Sequence, residues 1–191
     1  MRKIFILFLM LFMCCSCAKD NTSDVNYTYE IVSKSADMSA YDGVSSTQHM
    51  FRYITVDQLY STIDNGSSAA FYLGRTNCEC CQTCVQYLNE VATELNVTIY
   101  YIDVYNSEMP LETEEEITRL TNYLYPILEE VDGVKELQTP TVFSVVNGEL
   151  KDSLICLKDW KWDNPPTESQ VNRLKKKYKE ILSPFVDKNQ D

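Results

Sequence analysis

The chain has 191 residues and a formal net charge of −11, with 45% apolar and 12% aromatic residues but only 5 Gly and 6 Pro. That is room for one ordinary domain with a hydrophobic core plus a terminal extension, and too little for two full domains. The acidic balance argues against a nucleic-acid surface, because phosphate binding needs clustered Lys and Arg, and the one basic cluster, Lys175 to Lys177, reads as a solvated helix face.

Arg2 and Lys3 precede the apolar run "IFILFLMLFM", which is too short to span a bilayer as a stable helix and fits the core of a signal peptide. A Cys directly after such a run resembles the lipobox of bacterial lipoproteins, in which the Cys after the cleavage point is acylated. Cys17 is the expected lipidation site because Ser16 supplies the small residue before the cut, with Cys15 as the alternative; Cys14, at the usual Leu position, departs from the pattern. An uncleaved anchor and simple secretion are the other readings. All three put the domain outside the cytoplasm, where disulfides persist.

Residues 18–50 are polar, with scattered Tyr and no sustained period, and are expected to form a tether with at most a short strand in "TYEIV". His49, the only histidine, has no neighbouring Cys and reads as a surface residue, which removes Cys/His hydrolase chemistry. From Phe51 the element types alternate. "FRYI" is a strand, and "TVDQLYSTIDNG" a helix with a Thr55/Gln58 capping box and a stop at Asn65-Gly66. "AAFYLG" is a buried strand, followed by a helix to about Asn96 and the strand "VTIYYIDV". An acidic-headed helix is expected over about 111–131, with Ile117, Leu120, Leu124 and Ile127 inward, a kink at Pro126 and a stop at Asp132-Gly133. "TVFSVV" and "ELKDSLI" flank Asn147-Gly148, a strong hairpin signal, and a last helix capped by Thr167 with Gln170 buries Val171, Leu174, Tyr178 and Ile181. The order β-α-β-α-β-α-β-β-α predicts an α/β fold, a central mixed sheet flanked by helices, over 51–185, with a disordered tail at 186–191.

The stretch "TNCECCQTCVQYL" packs Cys78, Cys80, Cys81 and Cys84 into seven residues where a buried strand runs into a helix. Open α/β sheets place ligands at that end of their strands, and a helix N-terminus stabilises a thiolate. Two C-x-x-C pairs are available, Cys78/Cys81 and Cys81/Cys84. Turning ~100° per residue from Cys81, Val85, Leu88, Val91, Ala92 and Leu95 share an arc with Cys84, which is therefore expected on the inner face. Cys78, ahead of the first turn, is expected as the nucleophile and Cys81 as its buried resolving partner.

Further along, Thr139-Pro140-Thr141 stands directly before a strand and the Asn147-Gly148 hairpin. Together with the strand–C-x-x-C–helix unit, this resembles the thioredoxin superfamily, whose cis-proline loop packs against the dithiol. The resemblance implies a thioredoxin-like fold over roughly 51–182, with Pro140 blocking a metal from bridging the dithiol and Thr139 contacting substrate through its backbone. "FYLGRTNCECC" is most similar to small bacterial thioredoxin-like proteins that include the bacteriocin transport accessory proteins; it implies thiol–disulfide activity and not a transport role. Asn77 replaces the usual aromatic residue, Glu79-Cys80 the usual dipeptide, and Tyr72 a buried Asp of cytosolic thioredoxins. Glu79 is expected to raise the thiolate pKa and oppose the helix. Cys80 is expected to point outward as an accessory thiol, and Cys156, at the end of the second hairpin strand, to approach the cluster or to be a buried structural Cys. Trp160 and Trp162 offer a hydrophobic rim for peptides or ordinary loop packing.

Three functions compete. The leading expectation is a membrane-tethered oxidoreductase acting on protein disulfides, exchanging electrons with a further redox partner and needing no cofactor. A soft-metal protein would use the four sulfurs from Cys78 to Cys84 for Zn or Cu(I), although adjacent Cys80 and Cys81 must diverge and Cys84 turns inward. A non-catalytic binding module would keep the cysteines as a staple. With Cys17 acylated, the five cysteines from Cys78 to Cys156 leave at least one thiol unpaired.

Overall fold

The computed structural model describes residues 31, 33–104, 113–131, 133–157, 159–160 and 164–186. The leader with Cys17, the tail from 187 and Trp162 lie outside these residues.

The strands are β1 (Lys34–Ser35), β2 (Phe51–Tyr53), β3 (Ala69–Gly74), β4 (Ile99–Asp103), β5 (Glu130–Val131), β6 (Val134–Lys135), β7 (Thr141–Val146) and β8 (Glu149–Leu154). The helices are α1 (Val56–Asp64), α2 (Glu79–Leu95), α3 (Glu114–Leu124) and α4 (Glu168–Leu182), closed by a 3-10 turn at Ser183–Phe185. Six strands form one mixed sheet in the order β1-β2-β4-β3-β7-β8, parallel from β2 through β4 to β3 and antiparallel elsewhere, while β5 and β6 form a separate ribbon.

Alternation along β3 explains the two cores. Ala70 and Tyr72 face α2 and α4, joining Leu88, Val91, Leu174 and Tyr178; Ala69, Phe71 and Leu73 face α1 and α3, joining Leu59, Leu120 and Leu124. All six residues of β3 are buried, as a central strand covered on both faces requires.

Helix ends follow the side chains expected to cap them. Thr55 with Gln58, and Thr167 with Gln170, form complete capping boxes, and Asn96 closes α2 in the left-handed region at φ 52°. Asn147 and Gly148 both have positive φ, 54° and 80°, as a tight hairpin turn demands. A Cβ on Gly148 would also stand 2.6 Å from the Ile63 carbonyl oxygen, so the turn is seated against the end of α1.

Two expectations are corrected. The acidic helix is shorter than 111–131: it starts from a Thr113/Glu116 capping box and ends at Leu124, because Pro126 has no N–H to continue it and disfavours helical geometry just before itself. Pro126 ends this helix instead of kinking it. Beyond it, Glu130–Val131 pairs with Val134–Lys135, Gly133 sits at positive φ between the strands, and Ile117 is exposed instead of inward. The second correction concerns the tether. Ala36, Met38 and Tyr41 are buried against the α2 side of the sheet, and β1 adds to its edge, so the chain from β1 to β2 is part of the domain. The Tyr41 and Tyr101 hydroxyls are 2.8 Å apart, a buried polar pair that anchors this segment. His49 is half-buried, its Nδ1 accepting the Phe51 N–H at 3.2 Å.

Candidate active site at the start of α2

Cys78 is the N-cap of α2, with extended backbone, and its sulfur accepts the Cys81 N–H at 3.1 Å. It thus occupies the place a Ser or Asp side chain fills at other helix starts, where an acceptor satisfies an orphan amide. The same sulfur lies 3.5 Å from the carbonyl oxygen of Thr139, and the Thr139–Pro140 peptide bond is cis. Two segments remote in sequence, the start of α2 and the turn into β7, therefore meet at one sulfur.

The Cys78 thiol is pulled down to about 6. Its hydrogen bond with the Cys81 thiol is the main cause; the Cys81 N–H, Thr139 and the positive charge of Arg75 add to it against the cost of burial. Cys81 is driven the other way, first by the hydrogen bond it gives Cys78 and then by burial. The two thiols are thus shifted in opposite directions, Cys78 towards the thiolate and Cys81 away from it. Glu79, expected to oppose the shift, is exposed, and the net displacement of Cys78 is downward. Cys78 is buried, at 8% relative exposure.

A thiolate with this pKa should alkylate with a pH profile half-maximal near 6 and level above pH 8, because the group loses its proton as pH rises through its own pKa. Iodoacetamide labelling of reduced protein, read at Cys78 by peptide mass spectrometry, checks this; an ordinary thiol would still be gaining rate through pH 8.5.

Tyr72, fully buried, has its phenol pushed well above its ordinary value by burial, so it stays neutral. Its hydroxyl leans over Gly74, where a Cβ would come within 2.5 Å of it. Three contributors escaped the sequence reading. Arg75 supplies the nearby positive charge, and Tyr41 lies close enough for ionisation of Cys81 to oppose its own. Gln82 donates to the Ala40 and Thr76 carbonyls at 2.8 and 2.7 Å and accepts the Asp42 N–H at 3.1 Å, tying the N-terminal segment to the loop before Cys78. A lone Gln in the first turn of a helix carries no signal of such a bridge.

Cys80 does not point outward. It is 6% exposed, its sulfur 3.7 Å from that of Cys84 and 3.5 Å from that of Cys156. The reason is helical: Cys80 and Cys84 are four apart and share a flank of α2, which α4 and the turn after β8 cover. Cys156, two residues beyond β8, is half-buried and does approach the cluster. Its thiol is lowered by hydrogen bonds from Cys80 and Cys84, while burial and the bond it gives Cys156 push Cys80 up. The four sulfurs from Cys78 to Cys84 consequently do not converge into the cage that a metal reading of that stretch requires: Cys78 and Cys81 face Thr139, and Cys80 and Cys84 group with Cys156. Trp160 is buried, its Nε1–H donating to the Asn164 carbonyl at 3.0 Å, and is loop packing, not an exposed rim.

A sheet in the order β2-β4-β3-β7-β8, helices on both faces, and a dithiol at the helix after β3 opposite the turn into β7 define a thioredoxin-like fold. No protein-family model matches the chain, and no curated protein matches it in sequence. Among solved structures, it is similar to thioredoxin O2 from Arabidopsis thaliana in the oxidised state, at 15% identity over 75% of this chain and 100% of that one, with a TM-score of 0.45. Oxidised thioredoxin from Plasmodium falciparum follows at 16% identity over 66% and 95% of the two chains, with a TM-score of 0.38. Thioredoxin from Malassezia sympodialis covers 80% of this chain and 99% of its own at 12% identity and a TM-score of 0.38. It is the sheet order and the placement of the dithiol, not these distant likenesses, that define the fold.

Proposed function

We propose that this protein is a thiol–disulfide oxidoreductase that acts on protein disulfides through Cys78 and Cys81. One observation carries the reading: the Cys78 sulfur lies at a helix N-cap, within 3.1 Å of the Cys81 N–H and 3.5 Å of the Thr139 carbonyl. In the first step the Cys78 thiolate attacks one sulfur of a substrate disulfide, forming a mixed disulfide and releasing the other sulfur as a thiolate. Cys81 then loses its proton and attacks the Cys78 sulfur, closing the Cys78–Cys81 disulfide and expelling the second substrate thiolate. The substrate gains two electrons and the protein loses two, and a dithiol partner then reduces the Cys78–Cys81 disulfide; run in reverse, the same exchange oxidises a substrate dithiol and a disulfide partner re-forms the Cys78–Cys81 bond. Thr139 and Pro140 flank the reacting sulfur, and the Thr139 backbone is the contact for an extended substrate segment.

The lowered pKa acts on equilibrium more than on rate. At pH 7 it raises the thiolate fraction from about 3% to about 90%, roughly thirtyfold, but lower basicity removes about tenfold of intrinsic nucleophilicity. The net gain in attack is only a few-fold. What remains is a better leaving group and a stabilised dithiol form, which favours donation of the disulfide to substrates relative to a dithiol without the shift.

Replacing Cys81 with serine leaves the attacking sulfur and removes the resolving one. The variant should accumulate covalent adducts with disulfide substrates on non-reducing gels, released by dithiothreitol. A Cys81→Ser protein that folds and traps nothing would remove this reading.

The proposed location is outside the cytoplasm, on a bacterial membrane, held by a lipid on Cys17; the support is the charged, apolar and Cys-bearing order of residues 2–17. Metabolic labelling with palmitate should mark the protein, and Cys17→Ser should abolish the label. Label that persists in that variant would move the anchor to Cys15.

A further inference from the structure

Cys80, Cys84 and Cys156 form a second sulfur site that the redox pair does not use. Their sulfurs all lie within 4.8 Å of one another, with separations of 3.5 Å between Cys80 and Cys156 and 3.7 Å between Cys80 and Cys84. Two come from one flank of α2, four residues apart, and the third from the turn after β8, 72 residues beyond Cys84 (156 − 84). A pair at i and i+4 on a helix plus one ligand from a distant loop is an economical way to hold an ion, since one rigid element fixes two of the three directions.

We propose that Cys80, Cys84 and Cys156 bind one soft metal ion, monovalent copper, as a three-thiolate site beside the redox dithiol. The distances fit. Three sulfurs in a plane around an ion at about 2.3 Å stand about 4 Å apart, near the separations here, whereas a disulfide needs sulfurs at about 2.05 Å. Ligand type and number fit as well. Thiolates select soft ions, and a structural zinc site asks for a fourth ligand, while this group holds three ligands among the described residues.

Cys156 is half-buried and lines an open cleft together with Thr139 and Gln138, which gives the ion a route in. Loading displaces the thiol protons of the cluster and leaves a negatively charged group. The Tyr178 hydroxyl hydrogen-bonded to Cys84, the Leu157 N–H on Cys156 and the positive end of α2 are placed to offset that charge. No sulfur is oxidised in this step: copper enters and leaves as Cu(I).

The test uses the full chain with Cys14, Cys15 and Cys17 replaced by serine in every sample, so that the five described cysteines are the only thiols. Reduced protein is titrated anaerobically with Cu(I) against bicinchoninate. One Cu(I) per chain is expected, retained unchanged when Cys78→Ser and Cys81→Ser are combined. Affinity should fall at least about a hundredfold in Cys156→Ser and, separately, in Cys80→Ser, because loss of a ligand should cost no less than loss of an outer-shell partner. X-ray absorption should show three sulfur neighbours. Copper lost with Cys78 and Cys81 but kept without Cys156, no copper held against the chelator, or two-sulfur coordination would each overturn the proposal. Because the binding is read in a chain lacking Cys78 and Cys81, failure here leaves the oxidoreductase reading untouched, and failure of that reading leaves this one standing.

Discussion

Replacing Cys78 with serine should reduce the rate of exchange with a model protein disulfide by about three orders of magnitude, to the uncatalysed background, because a hydroxyl at the same place is neither ionised at neutral pH nor nucleophilic towards sulfur. The fold should survive. Serine is an accepted N-cap, so its oxygen can take the Cys81 N–H that the sulfur now accepts at 3.1 Å. The variant should also differ from Cys81→Ser in kind: it forms no mixed disulfide, since the attacking atom is gone, whereas Cys81→Ser forms one and cannot release it. Loss of folding in both variants, with no adduct from either, would instead indicate that the two sulfurs serve as a staple. The measurement is turnover of a fluorescently labelled disulfide substrate, with circular dichroism to confirm folding.

The largest effect on stability is expected from Phe143→Ala. Phe143 is fully buried in β7, and its ring stacks on Phe71 of β3 with centroids 5.2 Å apart and planes 22° from parallel. The two residues are direct cross-strand partners, and both belong to the core beneath α1 and α3. Truncation removes a large aromatic surface from a site walled by strands that cannot collapse inward, so the cost should be about 3–5 kcal/mol. That is a large share of the roughly 5–15 kcal/mol that holds an ordinary domain together. The urea midpoint, measured under reductant so that no disulfide contributes, should fall steeply with little change in slope. A loss under about 1 kcal/mol would mean that the pocket closes over the missing ring. The consequence reaches the site, because β7 begins at Thr141, directly after the Thr139–Pro140 turn.

How much of this was legible in the sequence depends on whether the determinant is local. Thr55 with Gln58, Thr167 with Gln170 and Asn147-Gly148 act over four residues or fewer, and each does in the structure what the sequence implies. The strand–dithiol–helix unit is local as well, whereas the Thr139-Pro140 turn is legible only through the resemblance of Thr139-Pro140-Thr141 and the hairpin after it to a known family. What failed was long-range. Met38 and Tyr41 lie in an irregular stretch without a period, and only their packing against α2 and β4 explains their burial. Cys80, between Cys78 and Cys81, reads as an outward thiol from the sequence, because the partner that covers its flank, Cys156, is 76 residues away. The periodic apolar pattern past Leu124 suggested a longer helix, and the missing N–H of Pro126 outweighed it.

The central claim is that Cys78 and Cys81 are the redox couple and that Cys80, Cys84 and Cys156 stand apart from it. Differential alkylation with peptide mass spectrometry, on the folded protein across a graded glutathione buffer, tests it most directly. The account predicts that the first disulfide to form as the buffer becomes oxidising joins Cys78 to Cys81, while Cys80, Cys84 and Cys156 remain modifiable after denaturation. A Cys80–Cys156 disulfide that forms first, with Cys78 and Cys81 both still free to alkylate, would contradict it.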